Sequence, residues 1–218
     1  MLEERGNIDL SLAYFLKFKI PKEKRILEIG CRFGSLLHLL QKAGYQNIIG
    51  IDIDKGAIEK GISKYPELEG KLIHYNGERL PFNSEEFEVV LMFDIIEHLP
   101  SPKQFLANQV NRVLKQNTGK LIFQTPNKII NIPWEILQHK SFTAYKGFHP
   151  SLQSYHSLQQ LFMATGFTQI LIEKNNLLSA HNVERVKKEI GFLSLPLLKA
   201  LQKMPIIFFP NFWGVAYS

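Results

Sequence analysis

The sequence predicts a doubly wound α/β fold with a mostly parallel sheet. Three observations carry that expectation. Short apolar runs alternate with stretches of helical spacing along most of the chain, the pattern of repeated strand–helix units. The runs ILEI, NIIGI and EVVLMF are apolar almost throughout, as suits strands covered on both faces. The first of them ends in a tight loop bracketed by Gly30 and Gly34, and that loop opens a helix whose N-terminal N–H groups aim at whatever sits above it. A chain of 218 residues suits one domain with a sizeable core.

Taken in order, residues 8–19 have the spacing of an amphipathic helix with Leu10, Tyr14 and Leu16 facing inward, stopped by Pro21. Residues 25–29 are the first strand, and residues 35–43 the first core helix, ended by Gly44. Residues 47–51 are the second strand. Asp54 then caps a helix running to about Ser63. Residues 71–75 and 88–93 are the third and fourth strands, residues 103–115 a helix, and residues 119–125 the fifth strand. After Pro126 the rhythm breaks. The next 24 residues mix prolines, aromatics and histidines without a clean period and read as a loop with one short helix near Trp134. Residues 157–167 return to helix, a sixth strand follows, residues 177–208 hold more helix, and NFWGVAYS closes the chain as a last strand.

Composition narrows the class. Hydrophobic residues make up 45% and charged residues 21%, an ordinary globular balance. The net charge of +6 is spread out, with no dense basic run of the kind that marks a nucleic-acid tail, so nucleic acid is not an expected partner. The lone cysteine, Cys31, excludes an internal disulfide framework and suits a reducing, cytoplasmic setting. No signal-peptide pattern opens the sequence, and no apolar run reaches the roughly 18 residues that a bilayer span needs.

The chemistry-bearing positions come in four pieces. The first is RILEIGCRFG at 25–34, where the spacing fits a G-x-G-x-x-G dinucleotide loop poorly because Arg32 holds the middle position. The second is GIDID at 50–54, in which Asp52 ends a strand about 20 residues on and can accept two ribose hydroxyl bonds. The third is HYNGERLPF at 74–82. The fourth and most specific is FEVVLMFDIIEHLPSPKQFLANQVNRVLKQNTGKLIFQTPN at 87–127.

Together these resemble the motifs of class I methyltransferases that use S-adenosylmethionine (SAM), over roughly residues 23 to 175. Phe87 to Val90 match the strand entry, Glu97, His98, Leu99 and Pro102 the turn after it, and Arg112 to Lys115 the helix end. Thr125, Pro126 and Asn127 match the exit of the fifth strand, while Asn117, Thr118 and Gly119 replace the common PGG turn. The resemblance implies a Rossmann-like seven-stranded sheet with the last strand antiparallel, and SAM as cofactor. It places Glu28 beneath the glycine loop, with Gly30, Cys31 and Gly34 along the methionine part. Arg32 departs from the family's usual glycine and puts a cation near the methionine carboxylate. Asp52 falls on the ribose and Ile53 on the adenine face. Asn76 stands where an acid commonly meets the adenine amino group, with Gly77 allowing close approach. Asp94 completes the cofactor set, and His98 is the first candidate for a general base.

Asp94, Glu97 and His98 also have i, i+3, i+4 spacing, so they share one face if that turn is helical. Small-RNA 2′-O-methyltransferases and some quinone O-methyltransferases resemble this pattern and hold a divalent metal with it, the former adding a later histidine. His149 and His156 are available here. The alternative is that the Glu97–His98 pair only packs and hydrogen-bonds under the substrate pocket, and the adopted reading assigns no metal.

The segment ERVKKEIGFLSLPLLKALQKMPIIFFPNFW is apolar enough that it must cover something. Prolines 196, 205 and 210 cut it into short pieces, so it reads as a lid on its own domain. A peripheral membrane contact stays open, because lysines flank the apolar positions. The expected organisation is one domain, residues 1–218, with lid segments at 127–156 and 177–208 over a small-molecule, glycan or lipid-linked acceptor. The alternative from another class is a catalytically silent SAM-fold partner subunit, for which Arg32 in the glycine loop is the support; the acceptor's identity, O- versus N-methylation, the use of a metal and the oligomeric state are not legible.

Overall fold

Strands β1 (Ile26–Ile29), β2 (Ile48–Asp52), β3 (Leu72–His74), β4 (Val89–Phe93), β5 (Lys120–Pro126), β6 (Gln169–Glu173) and β7 (Asn211–Tyr217) form one sheet in the order β3-β2-β1-β4-β5-β7-β6. This computed structural model describes residues 8–143, 145–178 and 180–218. The first five strands pair in parallel, and β7 inserts antiparallel between β5 and β6. The expected seven-stranded, doubly wound sheet with an antiparallel last strand is therefore what the chain forms. Its order reverses between β1 and β4, and in such sheets the crevice at that reversal lies outside the strand carboxyl ends.

Successive strand side chains point to opposite faces, so each strand feeds two cores. On one face Ile26, Ile48, Val89, Leu91 and Ile122 pack under α1 (Ile8–Leu16), α2 (Ser35–Lys42) and α3 (Lys55–Lys64) through Phe15, Leu36, Leu40 and Ile58. On the other, Leu27, Val90, Met92, Leu121 and Phe123 pack against Leu106, Val110, Val113, Leu158 and Phe162. Burial on both sides explains why β4 reads as an unbroken apolar run and β1 as one interrupted only by Glu28.

Several elements differ from the sequence expectation in ways that have a physical cause. Helix α1 stops at Leu16, and Lys19 beyond it takes a left-handed φ of 46°. Its buried residues are Ser11 and Phe15, while Leu16 is exposed, because the shorter helix turns its 11/15 face to the core. The helix after β4 is not uniform. It runs as α4 (Pro102–Phe105), a π-helical turn at Leu106–Val110, and α5 (Asn111–Val113). Such π turns concentrate at functional sites.

The largest difference follows β5. In place of a loop with one short helix near Trp134 the chain forms α6 (Lys128–His139), 12 residues that include Trp134 and hold Pro133 inside, followed by the short α7 (Tyr145–Phe148). The Asn127 side chain starts α6 by accepting from the Ile129 N–H at 3.1 Å. The inward face carries Glu135, which is buried, so a polar residue stands where the helical period would call for an apolar one. Helix α8 (Tyr155–Met163) starts two residues before its expected position because Ser154 and Ser157 form a reciprocal cap. The α9 (Ala180–Ile190) and α10 (Ser194–Lys203) pair fills the connection from β6 to β7, and Leu198 packs with Leu177 and Phe209. Among the described residues no helix is long and apolar enough to cross a membrane.

Asn127 ties these pieces together. It is fully buried, its amide donates to the carbonyls of Ile207 and Phe209 at 2.8 and 2.7 Å, and its backbone N–H donates to Pro210 at 2.8 Å. Asn127→Ala removes a helix cap and leaves two carbonyls short of a donor, so it should lower stability by about 2–4 kcal/mol. Asn127→Asp keeps the cap acceptor but sets a buried carboxylate oxygen against the same two carbonyls, so it should recover none of that loss. Urea unfolding midpoints of the two variants measure both effects, and an unchanged midpoint for Asn127→Ala would contradict the assignment.

Candidate active site

A cavity of about 820 Å³ opens over the carboxyl ends of β1, β2 and β4. That is within the usual size range of small-molecule pockets. Four turns build its walls: Gly30 and Arg32 after β1, Asp52 to Asp54 after β2, Tyr75, Gly77 and Glu78 after β3, and Asp94, Ile95 and His98 after β4. The π turn adds Asn108 and Gln109, and the Gln109 side-chain oxygen accepts from the Leu80 N–H at 3.1 Å. The mixture of apolar walls with a few convergent polar groups suits an organic ligand.

The loop after β1 is held from below. The Gly30 and Cys31 N–H groups both donate to the Ile51 carbonyl, at 2.8 and 3.1 Å, and Gly34 N–H closes the turn onto Cys31. Gly30 and Gly34 take φ values of 76° and 73°, in the left-handed region that glycine adopts freely. A Cβ at Gly30 would stand 1.9 Å from Ile95 Cδ1, so the missing side chain also makes room for the opposite wall. Arg32 takes φ 48°, which for a residue with a Cβ costs about 1–2 kcal/mol. The gain is its N–H, which donates to Asp52 Oδ2 at 2.8 Å.

Asp52 receives a second bond, from the Asp54 N–H to Oδ1 at 2.8 Å. Its carboxylate is thus buried but fixed by two backbone donors, and each oxygen keeps lone-pair capacity toward the cavity. Ile53 beside it is 65% exposed, an apolar surface offered to the cavity. Asp54 caps α3 by accepting from the Ala57 N–H at 3.0 Å, as expected.

The other sequence candidates fall in three places. Glu28, Cys31 and Arg32 line a second, small cavity under the loop; Glu28 and Cys31 are buried, and neither lines the large cavity. Gly34 stands at the N-cap of α2, facing Leu68 and Leu72. Asn76 is exposed and turned onto its own loop: its amide donates to the Glu78 carboxylate at 2.9 Å and its oxygen accepts from the Glu78 N–H at 3.1 Å. The cavity wall there is made by Tyr75, Gly77 and Glu78.

The turn after β4 carries the most polar arrangement. Asp94 takes a left-handed φ of 54°, and only Ile96–His98 are helical, in one 3₁₀ turn. The helix face that would align Asp94 with Glu97 and His98 does not form. A different trio does: ligand-type atoms of Glu97, His98 and His149 lie within 4.8 Å of one another. His156 is not part of that trio. Glu97 is buried and accepts from Thr125 Oγ1 at 2.9 Å. His98 Nδ1 lies 2.8 Å from the Phe148 carbonyl, so Nδ1 carries the proton and Nε2 is the acceptor, 4.0 Å from Glu97 Oε1. His149 Nδ1 contacts the Glu135 carboxylate. Burial lowers the His98 pKa below its ordinary value, against the opposing pull of the Phe148 carbonyl.

Residues 148–153 are stitched onto this turn. Ser151 N–H donates to the Glu97 carbonyl at 3.0 Å, Ser151 Oγ to the Leu99 carbonyl at 2.6 Å, and Lys128 N–H to the Gln153 carbonyl at 2.8 Å. Sequence reasoning assigned no role to Glu135, Ser151 or Gln109. Glu135 had a signal, being the one acid between Asn127 and Pro150. Ser151 and Gln109 had none.

Comparison with known proteins bears on the family and the fold. Residues 3–172 match a family described as a methyltransferase domain. A probable S-adenosylmethionine-dependent methyltransferase of Mycobacterium tuberculosis is 30% identical over 66% of this chain and 49% of its own length. A mitochondrial ubiquinone biosynthesis O-methyltransferase of Schizosaccharomyces pombe is 33% identical over 56% of this chain and 45% of its own. The chain spans about half the length of the curated relatives it matches. An S-adenosylmethionine-dependent methyltransferase structure from Mesorhizobium loti superposes with a TM-score of 0.68 at 15% identity, covering 98% of each chain, which shows a shared fold.

The backbone of the loop supplies a paired prediction. Arg32→Gly relieves the left-handed strain and should raise stability by about 1 kcal/mol. Gly30→Ala imposes strain and a clash with Ile95, and should lower it by at least about 1–2 kcal/mol. Thermal unfolding of both variants tests the assignment, and a stabilised Gly30→Ala protein would contradict it.

Proposed function

This chain belongs to the methyltransferase-domain family, and on that footing we propose that it is a SAM-dependent methyltransferase acting on an oxygen or nitrogen of a small-molecule, glycan or lipid-linked acceptor. One observation carries the reading: Asp52, at the end of β2, is held by the N–H groups of Arg32 and Asp54 with its carboxylate on the cavity wall. Two neighbouring hydroxyls, as on a ribose, are the natural partners of a carboxylate fixed in that way. In this reading Ile53 lies against the adenine, Gly77 borders its edge, and Gly30, Arg32 and Asp94 surround the methionine end, while Asn76 and Gly34 shape their loops without lining the cavity. Glu28 and Cys31 support the loop from beneath.

SAM supplies a methyl group on a positively charged sulfur, ready for in-line transfer to a nucleophile. The chain's own contribution is position, proton handling and exclusion of water. His98 is the proposed base. Its lowered pKa keeps the ring neutral near pH 7, and the Phe148 carbonyl directs the free lone pair to Nε2. The segments 127–156 and 177–208 form the proposed lid around the acceptor, anchored at Asn127. Apolar walls at Ile95, Leu99 and Phe105 favour an acceptor with a hydrophobic body.

A second reading is a metal-assisted O-methyltransferase, favoured by the Glu97–His98–His149 trio. Each histidine has Nδ1 engaged by an oxygen, which is how metal-bound imidazoles are commonly oriented, and leaves Nε2 for a cation. One carboxylate and two imidazoles suit a divalent transition ion, whose chemistry would be to acidify an acceptor hydroxyl. The relatives named for ubiquinone biosynthesis are in keeping with a phenolic oxygen as acceptor.

Asp52→Ala should weaken SAM binding by about 1.5–3 kcal/mol, or roughly 10- to 150-fold in Kd, by calorimetry. An unchanged Kd in a folded variant would sink the assignment. The two catalytic readings separate in a chelator. With catechol-type acceptors, the metal-assisted reading predicts that S-adenosylhomocysteine release stops in EDTA, returns with a divalent ion, and is not rescued in His149→Ala. Full turnover in EDTA eliminates it and leaves His98 acting alone.

A further inference from the structure

The α9–α10 hairpin has a packed side and an unpacked one. Val183, Val186, Leu198 and Leu201 close onto Leu177 and Phe209, so the hairpin's own core is already formed. Five large apolar side chains are left outside it. Ile190, Phe192, Leu193, Leu195 and Leu197 are all exposed, Phe192 to 86%, and all lie in the eight residues that end the first helix, join the two or begin the second. Scattered exposed leucines need no explanation, but five within one turn do.

Charge says what covers them. No charged residue occurs from Ile190 to Leu198. Immediately outside, positions 185 to 203 carry five basic residues against one acid, Glu189. Lys187, Lys188, Lys199 and Lys203 are exposed. An uncharged tip of phenylalanine and leucine with lysines on both flanks matches the interface of an anionic bilayer, where apolar groups enter the acyl boundary and ammonium groups meet headgroup phosphates. The 10-residue α10 is too short to cross, so the element lies in the interface and does not span it.

We propose that the α9–α10 tip docks this protein peripherally on an anionic lipid surface. The inference does not rest on the methyl-transfer reading, because it is tested by binding alone.

The test is co-sedimentation of the full chain with vesicles of phosphatidylcholine and with vesicles of phosphatidylcholine containing phosphatidylglycerol. The protein should bind the second and largely ignore the first. Phe192→Ser with Leu195→Ser should lower the partition coefficient about tenfold or more. Lys187→Gln with Lys188→Gln should weaken binding and flatten its salt dependence. Circular dichroism and an unchanged melting temperature show that both variants are folded. Absence of binding to the anionic vesicles overturns the proposal, and so does equal binding by the Phe192/Leu195 variant. A concentration-dependent dimer in sedimentation equilibrium that the same variant abolishes overturns it too, since a second copy would then cover the tip.

Discussion

The carboxylate of Asp52 is the point on which the site depends, and its constraint runs in both directions. It sits at the carboxyl end of β2, in register beside β1, where Ile29 pairs with Ile51. The loop leaving β1 must therefore pass directly over it. The Arg32 N–H reaches Asp52 only because the backbone there is left-handed, and the Asp54 N–H reaches it because the chain turns at once into α3. A buried carboxylate without donors would be costly, and the two N–H groups offset that cost while leaving the outer lone pairs directed at the cavity. The strain at Arg32 is thus part of the same arrangement that fixes the acid.

A second set of bonds holds the segment after β5 against the turn after β4. The backbone of 148–151 hydrogen-bonds to the turn after β4, and Asn127 joins the end of β5 to the start of α6 and to the 207–210 carbonyls. The outcome is that His98 and His149, 51 positions apart, meet with ring centroids 4.8 Å apart and planes tilted by 47°, beside the buried Glu97. The sheet ends and the turns that leave them line the crevice, and the segment after β5 is tied to the turn after β4.

The sheet was legible because its central strands, buried on both faces, leave nearly continuous apolar runs, and the glycine loop and the Asp54 cap were legible because each rests on local backbone chemistry. Helix α6 was hidden by Glu135 on its inner face and Pro133 in its middle, both of which erase the helical period. The π turn leaves no mark in residue type. The acid–histidine face around Asp94 failed for a reason invisible in spacing: one left-handed residue removes the helix on which the spacing argument stood. The pairing of His149 with His98 depends on a fold-back after α7, and no local pattern distinguishes His149 from His156.

The most direct measurement is an experimental structure of the chain with S-adenosylhomocysteine. The account predicts the nucleoside over Ile53, with both ribose hydroxyls within hydrogen-bond distance of the Asp52 carboxylate and the Arg32 and Asp54 N–H bonds retained. A nucleoside bound elsewhere, or a ribose that leaves Asp52 untouched, would contradict it.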